Sequence, residues 1–134
     1  MEVRPDFLSG LKDLEGFSYI ILIYHFHRSQ SFSLHVKPFL DDHHHGVFAT
    51  RAPNRPNPIG ISIVRLISIH GNTLHIEDVD ILDGTPLLDI KPYVPEFDVR
   101  VPDSIGWLLG KVEKVGECKA DERFGSHHLE EEST

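Results

Sequence analysis

The residues best suited to do chemistry lie in one uninterrupted stretch, Gly46-Val47-Phe48-Ala49-Thr50-Arg51-Ala52-Pro53-Asn54-Arg55-Pro56-Asn57-Pro58-Ile59-Gly60. Pro53, Pro56 and Pro58 fix their own φ angles and offer no N–H donor. Each also pushes the residue before it toward extended conformations. The segment is therefore neither helix nor central strand, and it is stiff before any ligand arrives. Arg51 and Arg55 on such a backbone can meet a carboxylate or a phosphate at small ordering cost. Gly60 permits a sharp turn or the close approach of a ligand. The plainer alternative is a rigid strand connection whose arginines point into water.

A second cluster runs Asp80-Ile81-Leu82-Asp83-Gly84-Thr85-Pro86-Leu87-Leu88-Asp89-Ile90-Lys91-Pro92-Tyr93. Asp80, Asp83 and Asp89 sit among apolar neighbours, so each carboxylate needs hydrogen-bond donors or a cation. Asp83 can cap the Gly84-Thr85 turn, and Asp89 can pair with Lys91 or an arginine, without any ligand being involved. His43-His44-His45 is contiguous, and neighbours on an extended chain point to opposite faces, so the three do not converge easily on a metal. His25 and His27 share a strand face but lack an evident third ligand. No metal site is expected.

These segments need elements to hold them. Asp6 to Glu15 suits a short helix, with Leu8, Leu11 and Leu14 recurring every third residue and Gly10 weakening it. Phe17 to Phe26 is aromatic and β-branched with no polar face, the pattern of a central strand covered on both sides. Phe32, Leu34 and Val36 alternate with Ser33, His35 and Lys37, as in a half-exposed strand. Val47 to Arg51 reads as another short strand. Ile61, Ile63, Ile67 and Ile69 then line one face of a longer one. His70-Gly71-Asn72 supplies a turn, and Leu74 to Ile76 returns from it. Val79 to Leu82 and Leu87 to Ile90 continue the rhythm around an Asp83–Pro86 corner. Trp107 to Leu109 and Lys111 to Val115 suit a last strand. Many short strands and few helices predict a mainly β, single-domain antiparallel β-barrel with short peripheral helices. A doubly wound fold is not expected, because no Gly-x-Gly-x-x-Gly loop opens a long helix.

At 134 residues the chain is about one domain long. Cys118 is the only cysteine, which rules out an internal disulfide and a thiolate zinc cluster. The start lacks a signal-peptide pattern, and the longest apolar run is too short to span a bilayer, so a cytoplasmic location is expected. The net charge of −8 is unevenly placed. Between Gly16 and Ile76 the only acids are Asp41 and Asp42, against Arg28, Lys37, Arg51, Arg55 and Arg65. One part of the molecule can thus present a basic face while the total stays acidic. The expected division is one domain over 1–125 and a polar acidic tail over 126–134.

Phe26-His27-Arg28-Ser29, the Phe48–Gly60 string and the Leu82–Tyr93 string together resemble the TsaA-like family, whose studied members are the TrmO tRNA methyltransferases. Leu14 to Ser18 and Ala120 to Phe124 also look like family positions. The resemblance runs through nearly the whole chain, and its two long strings occur in the right order. It implies a β-barrel homodimer that uses S-adenosylmethionine to methylate N6 of N6-threonylcarbamoyladenosine beside the tRNA anticodon. Family positions that look like cofactor contacts fall on His27, Arg28, Arg51, Ile61, Asp80, Ile81, Leu82 and Asp83. Members usually carry an extra strand and a Pro-Arg-Gln-like segment ahead of the region matching Glu2-Val3. That part is expected to be missing from this chain, although it is expected to help hold the cofactor.

The chemistry of the residues agrees with that implication. Arg51 suits a carboxylate or an RNA phosphate, and Asp80 and Asp83 suit hydroxyls, an ammonium or an exocyclic amine. Ile61 and Leu82 can wall an adenine. The acceptor nitrogen must lose a proton, and His27, Asp80 and Asp83 are the candidates to take it. Arg28, Arg55, Lys37 and Lys91 are the expected RNA contacts, and Trp107 is a candidate for the dimer surface. A non-catalytic cofactor-binding or docking module of the same fold remains an alternative, as does a methyltransferase with a different acceptor.

Overall fold

The structure, a computed structural model, describes residues 1–77, 81 and 83–111. The chain divides into two compact units. The first comprises Met1–Tyr24, Ile61–Val79 and Leu87–Val99; the second comprises His25–Gly60, Asp80–Pro86 and Arg100–Thr134.

In the first unit the helix expected at Asp6–Glu15 is instead two 3-10 helices, Pro5–Leu11 and Leu14–Gly16. The three leucines do not share one helix, since Leu14 lies in the second of the two. Asp13, in the left-handed region at φ 72°, separates the two. Leu11 is buried while Leu8 is exposed.

The main sheet of the described residues is built from β1 (Tyr19–His25), β4 (Ile59–His70), β5 (Thr73–Glu77) and β6 (Leu87–Pro92). Their order is β5-β4-β1-β6. β1 is central, as its composition predicts, but it is not covered equally on both sides. Ile20, Leu22 and Tyr24 are buried, while Ile21 and Ile23 are only half-buried. Tyr24 brings its hydroxyl to Ser62 Oγ at 2.8 Å, so the buried ring keeps a polar partner. β1 pairs antiparallel with β6 from Ile20 opposite Pro92 to Tyr24 opposite Leu87, with an irregularity between Ile23 and Tyr24.

β4 shows which half of its alternation forms the core. Val64 and Leu66 are buried, whereas Ile61, Ile63 and Ile67 are each about half exposed, at 50%, 51% and 53%. The isoleucine row is real, but it is the outward face of the strand. Arg65 stands in the middle of that row, over the Tyr19 ring at 5.6 Å, and meets Glu77 at 3.6 Å. The β4–β5 hairpin turns through Gly71 at φ 61°, where a left-handed residue is required. Alongside β5, Leu74 exchanges backbone hydrogen bonds with Met1, and Val3 donates to Asn72.

In the second unit, β2 (His35–Val36) pairs antiparallel with β3 (His45–Gly46). The strand expected over Phe32–Lys37 shrinks to these two residues of β2, and Phe32 and Leu34 are exposed. Ser33 contributes to that outcome, since its hydroxyl donates to the His35 carbonyl at 2.7 Å and competes with regular pairing. The strand expected at Val47–Arg51 is a 3-10 turn, Val47–Ala49. The last strand expected from Trp107 is likewise a 3-10 turn, Gly106–Leu108, and its continuation at residues 112–115 lies outside the described residues. So does most of the Val79–Leu82 segment, together with Cys118, Ala120–Phe124 and the acidic tail. Mainly β architecture holds, but among the described residues the sheet remains open rather than closed into a barrel. No helix among them is long and apolar enough to cross a membrane.

The inward assignment of β1 makes a direct prediction. Leu22→Ala should cost about 2–5 kcal/mol of stability. Leu88→Ala, on the exposed side of β6, should cost under about 1 kcal/mol. Urea titration of both variants at equal protein concentration measures the contrast, and equal losses would mean the faces are misassigned.

Candidate functional site

The exit of β1 is where the chemistry-bearing segments of the second unit meet. The His25 N–H donates to the Pro86 carbonyl at 3.0 Å, and the Phe26 N–H donates to the Pro58 carbonyl at 2.7 Å. The Asp83–Pro86 corner is thereby fixed on one residue and the proline-rich loop on the next. Gly84 makes the corner possible at φ 83°. After Phe26, which is buried, the chain turns through His27 and Arg28, and the Ser29 N–H closes the turn on the Phe26 carbonyl at 3.0 Å. The Ser29 hydroxyl lies 3.1 Å from both the Pro53 carbonyl and Asn54 Oδ1. The His27-Arg28 turn is thus fastened to the same loop.

Inside the loop the prolines do what their chemistry dictates. Arg55 N–H donates back to the Pro53 carbonyl and Ile59 N–H to the Asn57 carbonyl, two tight three-residue turns. Thr50 is buried, with its hydroxyl donating to the Val47 carbonyl at 2.9 Å and accepting from the Ala52 N–H at 3.2 Å. Arg55 Nη1 donates to the carbonyls of Thr50 and Ala52, both at 2.9 Å. That half-buried arginine, expected to contact phosphate on a rim, therefore commits this nitrogen to the loop's own backbone. Ser29 and Thr50 are the supporting residues that pattern reading passed over, although both fall inside the family-like strings.

The expected cofactor positions distribute as follows. His27, Arg28 and Asp83 are exposed on turns of the second unit, Arg51 is exposed in the loop just after the Val47–Ala49 turn, and Ile81 lies half-buried in a bend. Asp80 and Leu82 lie outside the described residues. Ile61 belongs to the first unit, on the outward row of β4. Of the expected RNA contacts, Lys37 is exposed, whereas Lys91 is in the first unit and pairs with Asp89 at 2.9 Å. Lys91 holds the Asp89 carboxylate below its ordinary range, helped by the Ile90 N–H. The pairing is the one the sequence offered.

A separate polar cluster centres on Asp41, whose side chain is only 8% exposed. His45 Nε2 lies 2.6 Å from one carboxylate oxygen. His43 Nδ1 at 3.3 Å, Lys111 Nζ at 3.4 Å and the Asp42 N–H at 2.7 Å reach the other. His45 above all, then these other donors, hold the Asp41 carboxyl well below the usual carboxylate range. Among the described residues no three metal-ligating side chains converge. Trp107, half-buried, stacks on the His45 ring at 4.5 Å and donates its indole N–H to the Ala49 carbonyl at 2.8 Å.

A turn carrying His27 and Arg28, a proline-rich loop carrying Arg51 and a corner carrying Asp83, fixed on the exit of a β-strand with no phosphate-cradling loop among the described residues, define a β-rich site outside the doubly wound class. The family model for the tRNA-methyltransferase O N-terminal domain matches residues 1–99, and the chain belongs to that family. A probable S-adenosyl-L-methionine-binding protein of Pyrococcus abyssi is 64% identical over 126 residues, which is 94% of this chain and 68% of that protein. The human tRNA (adenine(37)-N6)-methyltransferase is 40% identical over 92 residues, covering 66% of this chain and 21% of that protein. The crystal structure of TrmO from Pseudomonas aeruginosa superposes with a TM-score of 0.64 at 40% identity, over 79% of this chain and 46% of that one. The chain thus spans about two thirds of the Pyrococcus relative but less than half of the solved TrmO chain.

Two outcomes follow from the site's hydrogen bonds. Thr50→Val removes the hydroxyl but leaves a buried N–H and carbonyl without it, and should cost about 1–3 kcal/mol. Asp41 has a lowered folded-state pKa, so its contribution is present above the ordinary carboxylate value of 3.8 and is lost as pH falls below it. Asp41→Asn should lower stability at neutral pH and flatten the acid limb of the curve below about pH 4. Thermal melts from neutral pH to about pH 2 check both the sign and the window.

Proposed function

We propose that this protein is an S-adenosylmethionine-dependent methyltransferase acting on N6 of N6-threonylcarbamoyladenosine next to the anticodon in tRNA. The observation that carries the reading is the meeting of the family's defining strings at His25-Phe26, where Pro58 and Pro86 are both hydrogen-bonded. Membership of the tRNA-methyltransferase O family supports it, as do relatives named for S-adenosyl-L-methionine binding and for methylating adenine 37 of tRNA. The cytoplasm is the corresponding site of action.

The donor set of the second unit fits the cofactor chemically. Arg51 and Arg28 suit its carboxylate, while Asp83 suits its ammonium or ribose hydroxyls. Ile81 offers an apolar contact for the adenine, with Ile61, Asp80 and Leu82 as the further family positions. S-adenosylmethionine supplies an activated methyl group on a sulfonium. The protein's work is then to hold the acceptor nitrogen in line with that methyl and to exclude competing geometries. The loop's proline turns and the Thr50 and Arg55 hydrogen bonds keep Arg51 in place before binding, which lowers the ordering cost. The N6 proton is taken by His27, Asp83 or Asp80, since all three are of suitable chemistry.

RNA contact rests on Arg28 and Lys37, with Arg55 acting mainly through the loop it braces and Lys91 attenuated by Asp89. These residues position phosphates, and recognition comes from the splayed, bulky nucleoside itself. Assembly as a two-fold homodimer belongs to the same reading, supported by the exposed isoleucine row on β4 and the half-buried Trp107.

Incubation with tRNA and S-adenosylmethionine, followed by mass spectrometry of the nucleosides, should reveal methylated threonylcarbamoyladenosine. Cofactor binding without product would favour the non-catalytic module, and a different methylated nucleoside would favour another acceptor. Arg51→Ala should weaken cofactor or RNA binding by about 2–4 kcal/mol, on the order of a hundredfold, measured by calorimetry. With roughly three phosphates neutralised, log affinity for the anticodon loop should fall against log salt with a slope near about −2. A flat response would remove the basic contacts from the account.

A further inference from the structure

Trp107 stands far from the motif loop in sequence, yet its indole reaches that loop's first turn. The carbonyl it binds belongs to Ala49, the last residue of the Val47–Ala49 turn and two residues before Arg51. Within the turn the Thr50 N–H and hydroxyl both go to the Val47 carbonyl. An indole N–H has one donor and no acceptor, so its single bond fixes both ring position and carbonyl direction. Phe48, in the middle of the turn, is 76% exposed, while Val47 before it is 1% exposed. The turn is anchored from below and presents its outer side chain to solvent.

The indole is itself held. Its face lies on the His45 imidazole at an interplanar angle of 16°. His45 sits on β3 opposite Val36, and its Nε2 is directed onto the nearly buried Asp41 carboxylate. A carboxylate so placed is stable only while its donors stay in position. Asp41 has His45, His43, Lys111 and the Asp42 N–H. Lys111 follows Trp107 closely in the chain, so the Trp107 segment is attached to Asp41 twice, through the imidazole stack and through its own lysine.

We propose that Trp107 is a positioning residue for the Val47–Ala49 turn that leads into Arg51, set by its stack on His45 and through His45 by Asp41. The order of the contacts is Asp41 carboxylate to His45 ring, ring to indole, and indole N–H to the Ala49 carbonyl. Movement of the turn when a ligand engages Arg51 or Phe48 must change the indole environment. Conversely, loosening the stack loosens the turn. The ligand assigned to the turn rests on the functional reading above, but the brace itself does not.

Trp107 is the chain's only tryptophan, so its emission reports on this contact alone. The full chain is compared as wild type, Trp107→Phe and His45→Gln. Phenylalanine keeps a ring on His45 but loses the donor to Ala49; glutamine keeps a donor for Asp41 but loses the stack. Hydrogen exchange at the Thr50 and Ala52 amides should quicken about tenfold in both variants, with amides of the β4–β5 hairpin unchanged. S-adenosylmethionine binding by calorimetry should weaken by about tenfold in both. Ligand addition should shift the tryptophan emission of the wild type, and the shift should disappear in His45→Gln. Unchanged exchange at Thr50 and Ala52 in Trp107→Phe overturns the brace, whatever the ligand result. Quickened exchange at Thr50 and Ala52 in the variants, together with a wild type that does not bind S-adenosylmethionine, leaves the brace standing and removes the cofactor reading instead.

Discussion

Two adjacent backbone amides, those of His25 and Phe26, organise the second unit. As the chain leaves β1 its N–H groups donate in succession to Pro86 and Pro58. Both acceptors belong to prolines, which can accept but never donate, so the pairing runs one way and cannot be exchanged for a regular ladder. The corner carrying Asp83 and the loop carrying Arg51 are thus joined to one dipeptide. The next turn carries His27 and Arg28. Without those two bonds the three segments would have no common reference point.

The loop then holds its own shape by using side chains where a strand would use neighbours. Thr50 closes the first turn, Arg55 spans the second with one nitrogen on two carbonyls, and Ser29 ties the His27-Arg28 turn to Pro53 and Asn54. Each of these polar groups is placed to satisfy backbone atoms that proline leaves without regular partners. Rigidity here is inexpensive in binding terms, because a preformed loop loses little freedom when a ligand arrives. Arg51 and Arg55 are similar residues in the same loop; Arg51 is exposed, while Arg55 is half-buried with one nitrogen on the loop's own carbonyls.

Sequence patterning was most informative where local chemistry decides the outcome. The prolines announced a stiff loop, Gly71 and Gly84 announced turns, and Asp89 with Lys91 announced an ion pair. Two-residue alternation located β4, but it could not say which face forms the core. Val64 and Leu66 fill it while the longer isoleucines face outward. Leucines at a spacing of three point to one helix, whereas the left-handed Asp13 divides the segment into two 3-10 helices and only Leu11 is buried. The Asp41–His45–Trp107 contacts were invisible, because nothing in spacing links residues that distant. Two of the three contiguous histidines, His43 and His45, reach the nearly buried Asp41 carboxylate, a role that their adjacency does not announce. Val47–Arg51 has the apolar content of a strand, yet Thr50 turns the backbone back on Val47 and a 3-10 turn results.

The central claim is that the three segments joined at His25-Phe26 form one binding site. A titration of isotopically labelled protein with S-adenosylmethionine, followed by amide chemical shifts, tests it residue by residue. The account predicts that the amides of His27, Arg28, Arg51 and Asp83 move together along a single saturating curve, while those of Thr73 to Glu77 in β5 stay fixed. Saturable shifts confined to β5 or the Pro5–Leu11 turn, with the four site amides unmoved, would contradict it.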